Sequence, residues 1–253
     1  MEMNSTIETQ LDHRTIRKFT AEPISAETLA ALQAAVNRTP SSQGLQHSSM
    51  IRVTDKEIAA QIAQVCTQDY VAQAPELWIF IVDTRRARRI SQENGVSGMA
   101  ASSYDAFTAA FTDACLMAQN LVVAAESLGL GTCFLGSIQN DTRRLIEILG
   151  LPKLTYPVLG VIFGHPAEEP EVKPRMAAEL RMMENQYTEP ESWTQALAAY
   201  DEQVKDWVDT RYGKKVGPFT ETVASRMEHI AARRAENAQI ILEQGFEFLP
   251  AGN

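Results

Sequence analysis

The chain has 253 residues and a formal net charge of -9, with 45% apolar and 22% charged residues. That balance is typical of a folded protein with a sizeable core and argues against long disordered tracts. A sequence pI near 5.0 also argues against a nucleic-acid binder or attachment to anionic membranes through a basic surface.

The first residues, Met1 to Thr6, are polar and lack the apolar core of a signal segment. No unbroken apolar run reaches about 18 residues, so a membrane-spanning helix is not expected. Cys66, Cys115 and Cys133 are scattered, which suits a reducing cytoplasm. His13, His47, His165 and His229 have no metal-ligand spacing, and zinc chemistry is not expected.

Residues 5–11 read as a short helix capped by Ser5, with Ile7 and Leu11 facing inward. The next stretch, His13-Arg14-Thr15-Ile16-Arg17-Lys18-Phe19, packs three cations and a histidine into an acidic chain and asks for an anionic partner. Pro23 bars a helix there, and Ser25 caps one over 26–36 with Leu29, Leu32 and Val36 on one face. Residues 39–46 are small and polar and form a loop.

A strand is predicted over 49–55, a helix over 56–64, and an interior strand at Leu77–Asp83, whose unbroken apolar run requires cover on both faces. Residues 84–104 give little pattern. Arg85, Arg86, Arg88 and Arg89 there read as a solvated helix face, or else as a basic patch. Residues 104–128 form a long helix that is apolar nearly all round, buried in a large core or against a partner subunit.

Further strands are predicted at 132–136 and 156–164, with a helix at 143–149 stopped by Gly150. A charged loop around Lys173-Pro174-Arg175 follows. Helices over 193–211 and 222–244 and an apolar tail, Phe246 and Phe248, complete the chain. The whole reads as one α+β layered domain over 1–253, with a helical extension over about 190–253.

Gly129-Leu130-Gly131 follows a helix and precedes a strand, the reverse of a dinucleotide fingerprint, and there is no phosphate-loop motif or GxSxG. What remains are three loop cation clusters: Arg14/Arg17/Lys18, Lys173/Arg175 and Arg211/Lys214/Lys215. Each alone reads as solvated surface or as an anion cradle. Arginine matches phosphate in a forked geometry and lysine serves as a point charge. Together they suggest a phosphorylated ligand.

The stretch His13 to Thr20 with Glu22-Pro23-Ile24-Ser25, the Ser/Gln loop 41–46, Ala124-Ala125-Glu126-Ser127-Leu128-Gly129-Leu130-Gly131 and Lys173-Pro174-Arg175 together resemble the FMN-dependent nitroreductase family over about residues 5 to 245. They look closest to its larger branch of oxygen-insensitive NADPH nitroreductases and flavin reductases. The resemblance implies an intertwined homodimer built on a mostly antiparallel sheet of four or five strands, with FMN in each of two interface pockets. It also implies ping-pong transfer of hydride from NADPH, through flavin N5, to nitroaromatics, quinones or free flavin.

Carried over residue by residue, His13, Arg14, Thr15 and Arg17 match the N-terminal FMN motif, with Arg14 and Arg175 on the phosphate. Ser41 and Gln68 match flavin hydrogen-bonding positions, Phe134, Leu135, Gly136 and Ser137 match a segment along the ring system, and Lys173 matches a cation near its N1–O2 edge. Arg211, assisted by Lys214 or Lys215, falls where the branch binds the NADPH 2′-phosphate, and Gln43 and Gly44 fall in the loop over the substrate. Lys18 has no matching role. Thr15 stands for a usual serine, Ser137 for a glycine and Ala177 for a proline, while Gln43-Gly44 alters the substrate loop. The competing readings are a flavin reductase serving a partner oxygenase, a non-catalytic flavin-binding regulator, and a flavin-free phosphate-ligand module.

Overall fold

The computed structural model describes residues 4–209 and 213–248. The chain divides into two compact units, one of residues up to Glu169 together with those from Ala231 onward, the other Pro170–Ile230.

The first unit contains, in order, α1 (Ser5–Leu11), α2 (Ala26–Asn37), β1 (Ser48–Arg52), α3 (Lys56–Cys66), α4 (Tyr70–Gln73) and β2 (Glu76–Asp83). It continues with α5 (Arg85–Glu93), α6 (Tyr104–Ser127), β3 (Gly131–Leu135), α7 (Thr142–Leu149) and β4 (Thr155–Gly164). The four strands pair antiparallel in the order β1-β2-β4-β3.

The alternation of side chains along β2 explains the layers. Trp78, Phe80 and Val82 point to one face, where α2 and α6 cover them, and Leu77, Ile79 and Ile81 point to the other, under α3 and α7. Every residue of β2 but Asp83 is buried, as its apolar run requires. In β4 the register shifts opposite Phe80/Ile81, so Val158 is an extra residue. That bulge resets the alternation and places Val158 with Tyr156, Val161 and Phe163 on the α6 face. It also accommodates Pro157, which lacks a ladder N–H.

Helix α6 lies against β2, β4 and α2 through a row of small residues, Ala110, Ala114, Ala118 and Ala125, that let it approach the sheet closely. By length and composition it could cross a membrane. Thr112, Asp113 and Asn120 interrupt its apolar residues, so its sequence holds no long unbroken apolar run. Its packing is that of a core helix. Leu116 and Tyr104 stay exposed on the outer side.

Three expectations need correction, at α1 and in the last two predicted helices, while the arginines of 84–104 do lie on a helix without buried residues. Helix α1 is capped by Asn4, whose side chain accepts the Ile7 N–H at 3.1 Å, and Ile7 and Leu11 are exposed, not inward. Asparagine caps as well as serine and stands one residue earlier.

The 84–104 stretch contains α5 and a 3₁₀ turn at Met99–Ser102. Arg89 lies on an exposed face beside Glu93, but Arg86 turns back onto the loop before β1.

In the second unit the helix expected over 193–211 is α8 (Trp193–Ala196) and α9 (Ala198–Val204), followed by a hairpin of β5 (Val208–Asp209) and β6 (Lys214–Lys215). Gly213 at φ +62° supplies the left-handed residue such a turn needs.

The helix expected over 222–244 is three pieces: α10 (Phe219–Met227) in the second unit, then α11 (Ala232–Ala235) and α12 (Asn237–Glu243) in the first. Met227 and Ile230 are exposed, so no core holds a helix across the break. The tail does dock. Phe246 is buried edge-on against Phe107 at 4.8 Å, and Phe248 packs on Tyr104.

Candidate functional site

The basic stretch is extended and lies on the outer edge of β3. Its Ile16 N–H donates to the Thr132 carbonyl at 2.8 Å, and Ile16 itself is buried over Gly131. Beyond it, Thr20 and the Lys18 carbonyl pair with the chain leaving β4 at His165 and Ala167. The Glu168 carboxylate accepts the Arg17 and Lys18 backbone N–H groups at 2.8 and 3.2 Å. The geometry of this segment is therefore set by main-chain bonds.

His13 Nδ1 is 2.7 Å from Glu126 Oε1 on α6, which also accepts the Thr132 hydroxyl at 2.6 Å. Arg14 lines a cavity of about 820 Å³ with Asp12, Glu126, Gly131 and Glu169. Its guanidinium donates to Asp12 and Glu169 at 2.9 and 3.1 Å, and its Nε is buried without a hydrogen-bond partner.

At the other end of β3, Phe134 is exposed, Leu135 is buried in the core, and a Cβ added at Gly136 would meet nothing within 4 Å. The Ser137 hydroxyl donates to Gln68 Oε1 at 2.9 Å, and so does Tyr70 Oη at 2.8 Å. With its carbonyl oxygen satisfied twice, Gln68 is left presenting its amide nitrogen as donor. Beneath them burial pushes the Cys66 thiol up to about 11, despite the Ser137 hydrogen bond, so it stays protonated.

Ser41, Gln43 and Gly44 belong elsewhere. Their loop precedes β1, which is the opposite edge of the sheet from β3. Three strand spacings, about 14 Å, separate the two edges. Within the first unit the predicted residues thus form two groups, on opposite edges of the sheet.

In the second unit, Lys173 and Pro174 carbonyls accept from Arg175, and Tyr200 Oη holds the Pro174 carbonyl at 3.1 Å. Tyr200 packs edge-on against Phe219 in a small core with Leu197 and Val204. Lys214 and Lys215 form β6 and are exposed. Lys215 pairs with Asp206 at 2.5 Å, which holds that carboxyl below its usual range. Arg211 lies outside the described residues.

Sequence reasoning missed Arg234, which donates to the Gly136 carbonyl at 2.5 Å and to Asn140 Oδ1 at 3.0 Å. An arginine near the end of a chain carries no local signal of such a contact. Glu126 lies inside a motif segment, and its pairing with a histidine 113 residues away is a tertiary fact.

The sequence profile of the nitroreductase family matches residues 11–165, and that of the family's C-terminal domain matches 173–249. The chain is 40% identical over 210 residues to the oxygen-insensitive NADPH nitroreductase of Salmonella typhimurium, covering 83% of this chain and 85% of that protein. It is 37% identical to the NADPH-flavin oxidoreductase of Vibrio harveyi, covering 85% and 92%. Among solved structures, the NADPH:FMN oxidoreductase from Vibrio harveyi complexed with NAD+ superposes with a TM-score of 0.85 at 33% identity, covering 96% and 99%. This chain belongs to the nitroreductase family.

Proposed function

We propose that the protein is an FMN-dependent oxidoreductase that takes hydride from NADPH and passes electrons to nitroaromatics, quinones or free flavin. The observation that carries this reading is the β3 edge, where Thr15 bridges to Thr132, His13 pairs with Glu126 at one end, and Ser137 donates to Gln68 beside exposed Phe134 and open Gly136 at the other. The open space at Gly136 and the donor offered by Gln68 suit a flat ring bearing carbonyl and nitrogen acceptors. When bound, FMN supplies the redox chemistry, accepting hydride at N5 and yielding two electrons to the acceptor.

The chain's own residues then divide the work. Arg14, and in the second unit Arg175, are the residues that the family resemblance assigns to the phosphate. The Arg14 partners Asp12 and Glu169 are 64% and 85% exposed, and such pairs are worth about 0–1 kcal/mol. A phosphate dianion therefore displaces them. Gln68 and Ser137 fix the ring, and Lys173 sets a positive charge near its N1–O2 edge. Arg211 with Lys214 or Lys215 receives the NADPH 2′-phosphate, the Lys215–Asp206 pair being exposed and equally displaceable. Alignment dominates this chemistry, since solvent can supply protons.

The separation of the Ser41 loop from the β3 edge supports a homodimer in which each site draws one group from each copy. Exposed Leu116 and Tyr104 on the outer side of α6 and exposed Ile7 and Leu11 on α1 agree with that reading. Three free cysteines agree with a cytoplasmic setting.

The experiment is steady-state oxidation of NADPH with a nitroaromatic and with free FMN as acceptors. Parallel double-reciprocal lines are expected. Intersecting lines, or turnover with free FMN alone, would contradict a general ping-pong reductase, the latter favouring a dedicated flavin reductase.

A further inference from the structure

The loop Ser41–Gln46 has a conformation it could not hold by itself. Gln43, Gly44 and Gln46 all have positive φ, at 53°, 70° and 54°, and two of these are not glycine. Each such residue costs about 1 kcal/mol or more and persists only where its surroundings fix it. The loop's own bonds are three: Gly44 N–H to the Ser41 carbonyl, Leu45 N–H to the Ser42 carbonyl, and Gln46 N–H to Ser41 Oγ. Gln43, Gly44 and Leu45 at its tip are exposed, and a Cβ at Gly44 would meet nothing within 4 Å. The tip has little packing of its own to define it.

Two charged side chains supply the definition. Asp113, 2% exposed among the alanines of α6, accepts the Ser42 N–H through Oδ1 at 2.9 Å. Its Oδ2 is buried without a hydrogen-bond partner. A carboxylate so placed is costly to bury, and nothing in the sheet packing asks for one.

At the other end of the loop, Arg86 from α5 donates through Nη2 to the Gln46 and Ser48 carbonyls. Its Nη1 donates to Ser49 Oγ and Asp83 Oδ2, each at 3.0 Å. Ser49 in turn donates to Asp83 at 2.6 Å. The entry and exit of the loop are thus each held by a charge-assisted bond, the stronger kind.

We propose that Asp113 and Arg86 are positioning residues that set the shape of the Ser41–Gln46 loop and through it select among electron acceptors. This rests on the functional reading above and on the place that the family resemblance gives Gln43 and Gly44, in the loop over the substrate. Both act on the loop through its backbone, Asp113 on the Ser42 N–H and Arg86 on the Gln46 and Ser48 carbonyls. Loosening either anchor lets Gln43 and Gly44 relax, so compact and bulky acceptors lose their discrimination while the β3 edge is untouched.

The test uses the full-length protein saturated with FMN, comparing wild type with Arg86→Gln, Arg86→Lys and Asp113→Asn. Three quantities are measured: the kcat/KM ratio for a compact nitroaromatic against a bulky quinone, the rate of anaerobic flavin bleaching by NADPH, and amide exchange at Ser42. Arg86→Gln and Asp113→Asn are expected to shift the acceptor ratio by about fivefold or more and to speed Ser42 exchange. At saturating FMN, bleaching should change less than the acceptor ratio does, and Arg86→Lys should recover part of the ratio.

An unchanged ratio in Arg86→Gln overturns the proposal, whether or not the melting temperature falls. If Asp113→Asn does not fold, Arg86→Gln decides alone, because Arg86 sits at the surface. Failure of the wild type to bleach or turn over would instead overturn the functional reading itself.

Discussion

Two imidazoles in this protein are placed for different ends. His13 is tied to Glu126, and that carboxylate also holds Thr132, so one group fixes both the basic segment and the strand it rests on. Replacing Glu126 with leucine removes a charge-assisted bond worth about 1.5–3 kcal/mol, and the FMN Kd should rise about tenfold or more. An unchanged Kd by fluorescence titration would remove His13 from the cofactor site.

His47 is buried, and burial pushes its pKa below the usual 6.5, with Arg86 acting in the same direction and Asp113 and Asp83 opposing. The unfolded chain binds a proton there that the folded chain resists. The stabilisation is present in full above about pH 6.5 and is lost as pH falls through the lower folded value. Denaturation midpoints should therefore fall on acidification below pH 6.5, and less steeply in His47→Gln.

At the scale of elements, the contact that seats the basic stretch is Ile16 over Gly131. A Cβ at Gly131 would lie 2.7 Å from Ile16 Cβ and Cγ2, and the branched side chain cannot swing aside. Gly131→Ala should cost about 1–3 kcal/mol and weaken FMN binding as well. Gly136→Ala is the control, with open space around it. It should leave the melting temperature of the FMN-free protein unchanged while lowering FMN affinity. Equal melting of both variants would mean that the segment does not depend on the β3 edge.

Elements with strong local signals were legible from sequence. The buried run of β2 and the Ser25 cap with Leu29, Leu32 and Val36 announce themselves through periodicity and capping. The last helices were not, because Val223, Met227 and Ile230 repeat at helical spacing yet are exposed. Periodicity cannot report that no core awaits them.

At the scale of the whole molecule, the sheet puts two halves of the predicted site on opposite edges, and no reading of residue spacing along the chain shows that. The family resemblance carried the grouping of residues, while charge anomalies alone yielded only an anion-binding loop. The shared-site arrangement makes a prediction that a one-chain site does not. A chain carrying Arg14→Ala and a chain carrying Ser41→Ala should each be impaired. Hybrid dimers formed by mixing them under exchange should regain activity, since one of their two sites is then intact. No recovery despite proven exchange would place both groups in the same chain's site.

The central claim is that this chain binds FMN and that NADPH reduces it. The visible spectrum of the purified, FMN-loaded protein, recorded before and after anaerobic addition of NADPH, tests this most directly. The expected result is an oxidised flavin spectrum that bleaches on NADPH and returns on adding a quinone. A flavin spectrum that NADPH leaves unchanged, or a protein that retains no FMN, would contradict it.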